Sequence, residues 1–168
     1  MEVVFALRSG GQSGADHRAL DAFLDYIKKN YLKIKRHKHE EAVVYVKFNN
    51  GVVWKLTGWC PKGKEADDSI INSKYSLKET ETLDPKERTE LNVCDANATL
   101  IILLLTSEPG LDEDNIEQML YWIKKNKIKH LNVAGLRESN SLEIQNQTYK
   151  FMYSLFEKIA NKNMKAKL

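Results

Sequence analysis

Cys60 and Cys94 are the chain's 2 cysteines, too few for a disulfide framework and without metal-ligand spacing. They allow one bridge and nothing more. The longest apolar run, residues 100–105, falls far short of the ~20 residues that cross a bilayer as a helix. The amino terminus, MEVVFALRSGG, has no basic region before its short apolar run, so it reads as a strand and not a signal peptide. A net charge of +3 is too small to argue for nucleic acid. No internal repeat, low-complexity linker or second-domain boundary interrupts the 168 residues. The expectation is one soluble, cytoplasmic domain over 1–168 that binds neither membrane nor nucleic acid.

What is present fits a globular core. The chain is 42% hydrophobic and 29% charged, ordinary values, and a domain this long buries roughly 70% of its unfolded surface. It needs no staple. Residues 3–7 form a continuous apolar run that stops at Ser9-Gly10-Gly11, as a buried parallel strand does. A helix is predicted from Ser13 or Gly14, with Ala15, Ala19, Leu20, Phe23, Leu24 and Ile27 on one face. Residues 43–48 and 52–56 flank Asn49-Asn50-Gly51, the chemistry of a type I′ hairpin turn. Residues 58–75 read as a long loop, and residues 84–92 as a short helix with Pro85 in its first turn.

Residues 99–105 are the strongest strand in the sequence, apolar on both faces. Asp112 is suited to cap a helix carrying Ile116, Met119, Leu120 and Ile123. A strand over 130–133 ends at Gly135, and a helix over 141–160 buries Tyr149, Met152, Tyr153, Phe156 and Ile159. Alternating strands and helices predict an α/β fold: an open, mostly parallel sheet with helices on both faces and an added β-hairpin.

Four turns could carry chemistry. Gly10, Gly11 and Gly14, with Gln12, Ser13 and Asp16, join the first strand to the first helix. Such a turn lets backbone N–H groups and the helix N-terminus face a phosphate, or serves only as a tight turn. The pattern is neither GxGxxG nor a Walker A loop. Asp16 orders the helix, stays solvated or meets a ligand hydroxyl; sequence leaves the three open. In the second turn, Lys62 beside Gly63 could reach an anion and Trp59 could stack on a planar ring. The residues alone favour plain packing there, and Cys60 lacks a base that would make it a nucleophile. The third offers Thr106 and Ser107 at a strand end, where open α/β sheets place ligands. The fourth, Val133 to Ser139 with Gly135, offers Arg137 as an oxyanion clamp. His37 and His39, in a basic run, are too few for a metal site. Arg88 and Asp95 flank the short helix and are read as an ion pair or a functional pair.

Read in order, SGGQSGAD, Leu20-Asp21, GWCPKGKEADDSI, Tyr75 to Thr80, Arg88-Thr89 with Asn92-Val93, residues 98–101 and NVAGLRES resemble one family. It is the family called "putative molybdenum carrier", the circularly permuted YpsA-like proteins of the SLOG superfamily. The resemblance implies a Rossmann-like fold and a site built from the glycine turn and the strand ends, and it covers nearly the whole chain. It implies carriage or storage of molybdenum cofactor, a pterin with a terminal phosphate, delivered to an acceptor protein, with a homo-oligomeric contact also open. The superfamily includes nucleotide-derivative sensors and hydrolases, but the PGGxGTxxE motif of its phosphoribohydrolase branch is absent. The expected role is therefore a non-catalytic binding protein for a phosphorylated small molecule, with Arg88 joining the ligand contacts and no resident metal. Departures from the family pattern are His17 before Arg18, a glycine-poor turn at 106–110, Leu136 in place of a common proline, and an inserted basic segment and hairpin at about 31–57.

Overall fold

The computed structural model describes residues 3–30, 35–36, 44–47, 53–67, 69–75, 77–103, 113–137 and 143–165. The elements are β1 (Val3–Arg8), α1 (Ala15–Asn30), β2 (Lys35–Arg36), β3 (Val44–Lys47), β4 (Val53–Thr57) and β5 (Trp59–Cys60). They continue with β6 (Lys78–Glu79), α2 (Pro85–Cys94), β7 (Ala98–Ile102), α3 (Glu113–Lys125), β8 (His130–Gly135) and α4 (Ile144–Lys165). Six strands form one sheet in the order β2-β3-β4-β1-β8-β7, and β5 pairs with β6 separately. The middle of the large sheet, β4-β1-β8-β7, is parallel throughout.

β3 and β4 are antiparallel neighbours, Val44 opposite Leu56, as the arms of the expected hairpin would be; its turn at 49–51 lies outside the described residues. The hairpin is no appendage. Its second strand is also the parallel neighbour of β1, with Leu7 opposite Leu56, so the expected insertion overlaps a strand the central sheet requires.

Right-handed crossovers decide the layering. The steps β1–α1–β4 and β7–α3–β8 run the same way across the sheet and place α1 and α3 on one face. The step from β4 to β7 runs the other way and places α2 opposite, where it packs on β5. α4 packs against α1 and α3. Every residue assigned to the apolar face of α1 is buried. At the centre, Trp54 of β4 stacks on Tyr26 at 5.6 Å, and Phe156 of α4 meets Phe23 edge-on at 5.4 Å.

Two readings of the sequence fail here. β7 is an edge strand: Ala98, Leu100 and Ile102 pack on the core, whereas Ile101 is 63% and Leu103 58% exposed. A run that is apolar on both faces does not reveal which of them is covered. On α4, Met152, Phe156 and Ile159 are buried, but Tyr149 and Tyr153 are only partly covered. They stack on each other at 6.0 Å, and Tyr149 keeps its hydroxyl at the surface, donating to Asp25.

Candidate functional site

β1 and its neighbour β4 send their chains to opposite faces of the sheet. Where neighbouring strands diverge in this way, open α/β sheets have a crevice beyond the carboxyl ends, the usual ligand position. The glycine turn and the 58–67 segment both start there. Glycine is required because the segments touch. A Cβ on Gly58 would lie 2.1 Å from the Ser9 carbonyl oxygen, and one on Gly14 (φ 87°) would lie 2.3 Å from that of Leu136.

α2 supplies the first cation. Its start is fixed by Asp84, which accepts from the Lys86 N–H, and by Glu87, which accepts from the Thr82 N–H at 3.0 Å. Arg88 and Asn92 lie four apart and therefore share a face. Asn92 bonds Trp59 twice, taking its N–H and donating to its carbonyl, each at 2.9 Å. Arg88 reaches past it to the glycine turn, so close that a Cβ on Gly10 would lie 1.8 Å from Nη1. The same Nη1 donates to Asp16 at 2.9 Å. The Arg88 Nε–H is buried with no hydrogen-bond partner among the described residues.

Asp16 is buried, and its carboxylate accepts from Arg88. Burial raises its pKa above the ordinary carboxylate value, against the opposing pull of Arg88. Of the three roles open to Asp16, ordering the turn is the one its contacts display. The Ser13 N–H donates to Gln12 Oε1 and the Ala15 N–H to the Leu136 carbonyl. The turn is thus more internally satisfied than a bare phosphate cradle.

The second cation comes from beyond β8. Arg137 Nη1 donates to Asp67 Oδ2 at 2.6 Å, while Gln12 Nε2 donates to Asp67 Oδ1 at 3.1 Å. Gly135 brings this strand end in, its α-carbon facing the Ile102 carbonyl and the Ala15 side chain. Glycine turn, 58–67 segment, α2 and the end of β8 therefore converge. Thr106 and Ser107 lie outside the described residues, as do His37, His39 and Asp112.

Other assignments move. Arg88 and Asp95 do not pair with each other, because the helix face that aims Arg88 at Asp16 leaves Asp95 beyond its end. Asp95 instead accepts from Arg8 and from the Trp59 indole N–H, each at 3.0 Å. Trp59 is partly buried, with the Lys78 ammonium 5.0 Å from its ring centre. Lys62 is exposed, and the Gly63 N–H (φ 77°) donates to Glu79 at 2.8 Å. Cys60 and Cys94 are free thiols; burial pushes Cys60 up to about 11, which leaves it protonated and inert. No group of three or more His, Cys, Asp or Glu among the described residues could hold a metal ion. None of their helices is long and apolar enough to cross a membrane.

Sequence reasoning missed Asp67, one acid among several in a charged loop, and the bridging role of Asn92. Nothing in the sequence of this largely polar helix marks Asn92 as the residue that is buried.

A central sheet of four parallel strands flanked by helices, with glycine turns at its strand ends, is a Rossmann-like fold. The model of the Circularly permutated YpsA SLOG family matches residues 7–113 and 110–156, and the chain belongs to that family. It is also similar to the crystal structure of "Putative molybdenum carrier protein" from Syntrophus aciditrophicus SB. The two share 26% identity over 92% of this chain and 94% of that one, with a TM-score of 0.62. Comparison with curated proteins gives no match.

Proposed function

We propose that this chain is a non-catalytic carrier or storage protein for a phosphorylated small molecule, with molybdenum cofactor as the leading cargo. The observation that carries the reading is Arg88: a buried guanidinium on a glycine at diverging strand ends, with one N–H left unmatched. Arg8 and Arg18 carry the same buried, unmatched Nε–H, so what sets Arg88 apart is its place against the glycine turn, where its guanidinium could take a phosphate oxygen in a charge-assisted bond. The name of the similar crystallised protein supports the cargo.

In this reading the phosphate lies against Gly10, Gly11 and Gly14 at the start of α1, between Arg88 and Arg137. The dipole of that helix favours an anion there. Lys62, on the exposed rim, adds attraction without burial, and Trp59 covers the planar part of the ligand. The carrier holds a labile cargo for an acceptor protein and makes or breaks no bond.

Protein purified without oxygen should carry molybdenum by elemental analysis and yield a fluorescent pterin after oxidation. Gly11→Asp, which places a carboxylate at the turn, should remove both. If the purified protein brings neither and is stabilised only by nucleotides, the chain is a nucleotide-derivative sensor. Turnover of a nucleoside monophosphate, lost in Arg88→Gln, would make it a hydrolase. Gly11→Asp leaving every ligand in place would sink the site itself.

A further inference from the structure

Both arginines at the crevice already hold a carboxylate, and the two pairs are not alike. Arg88 and Asp16 are side chains 11% and 7% exposed, whereas Arg137 and Asp67 are 43% and 36% exposed. The first pair is built into the turn. The second stands open to solvent.

Asp67 is held as an anionic ligand would be. One carboxylate oxygen takes the Arg137 guanidinium at 2.6 Å and the other takes the Gln12 amide at 3.1 Å. Both donors flank the first residues of α1, because the Gly14 α-carbon lies against the Arg137 backbone. Gln12 is in turn held by the Asp67 N–H, which donates to its Oε1 at 2.9 Å.

The excursion that carries Asp67 has a closed base. Glu65 and Ile70 form a β-bridge, and the Ile71 N–H donates to the Lys64 carbonyl at 2.7 Å. Ile71 itself lies against Gly11. The carboxylate can therefore leave Arg137 while the base stays in place.

We propose that Asp67 is an internal stand-in for the ligand's anionic group, which it holds out of the crevice until that group displaces it from Arg137 and Gln12. This rests on the phosphorylated-ligand reading above and adds how that site is regulated. No covalent chemistry is involved; one anion replaces another on the same donors, and Asp67 passes into water. Apparent affinity is then reduced by the fraction of molecules whose site is closed. Arg137, released, clamps the incoming phosphate with the geometry it now gives the carboxylate.

The test is calorimetric titration of inorganic phosphate and of AMP into the full chain, its Asp67→Asn variant and the Asp67→Asn/Arg137→Gln double variant. Asparagine keeps the size and the acceptor for Gln12 but turns its charge off, so the fold should be retained, as a melting curve would verify. An ion pair this exposed is modest, so Asp67→Asn should tighten phosphate by roughly 1.5- to fivefold. The double variant should lose the gain. Equal or weaker binding in Asp67→Asn, with clear binding by the parent chain, overturns the exchange and leaves the binding site standing. Absence of binding in both overturns the phosphorylated-ligand reading along with it.

Discussion

Two aspartates one turn apart on α1 show how burial and partners compete at a single residue. For Asp16 burial prevails and the pKa is raised. For Asp21 burial also pushes upward, but bonds from Lys74 and Tyr75 and the charges of Lys74 and His17 outweigh it, and the pKa is lowered from 3.8. Lys74 Nζ lies at 2.7 Å and the Tyr75 hydroxyl at 2.6 Å from Oδ1, with Arg18 at 3.0 Å from Oδ2. A lowered carboxylate stabilises the fold above its unfolded value, and that contribution is lost as pH falls through the depressed one. Asp21→Asn should therefore cost about 1–2 kcal/mol at pH 7 and much less once pH has fallen below the depressed value. Urea unfolding at the two pH values measures it; an equal loss at both would show that charge is not what Asp21 supplies. Asp16 runs the other way: its contribution is present at acid pH and fades as pH rises through its raised value.

Among elements, α2 is the one whose role sequence hides. Pro85 and the capping Asp84 announce where it begins, yet its 10 residues bury only Asn92. Nothing apolar marks the face that turns inward, so the 72-residue reach from Arg88 to Asp16 is a tertiary fact. The strands before glycine turns were legible, because an apolar run ending in Gly-Gly or at Gly135 has few other uses. Asp67 was not, since a carboxylate among Glu65 and Asp68 shows no preference for a partner until the loop path is known. Besides the Arg88–Asp16 pair, the helix is held there by two hydrogen bonds from the Asn92 side chain. Asn92→Ala should then cost about 2–3 kcal/mol, one net bond plus a buried Trp59 backbone group left unmatched. Asn92→Asp, which keeps the acceptor for the Trp59 N–H but sets a carboxylate against its carbonyl, should do no better. Chemical denaturation of both variants reads this, and a loss within 0.5 kcal/mol, ordinary for a surface change, would mean that α2 is held by other contacts.

At the scale of the molecule, stability and binding reside in different layers joined by β1 and α1. Phe156, Phe23, Trp54 and Tyr26 tie α4 and α1 to the sheet on the side of the core, away from α2. The crevice uses the far ends of the same elements. Phe156 is 0% exposed, so Phe156→Ala should cost about 3–5 kcal/mol through lost burial and the cavity left behind. Against a total of roughly 5–15 kcal/mol, that removes a large share of the stability without touching a binding residue. A ligand that binds only the folded state returns stability by mass action, about 2.7 kcal/mol at 100 times its dissociation constant. For a chain of 168 residues each kcal/mol moves the midpoint by roughly 2–4 °C, so saturating ligand should raise the Phe156→Ala midpoint by about 5–11 °C. The parent chain should shift by the same amount at the same multiple of Kd. A variant that binds markedly more weakly would show instead that the aromatic cluster shapes the crevice, and that the two layers are one.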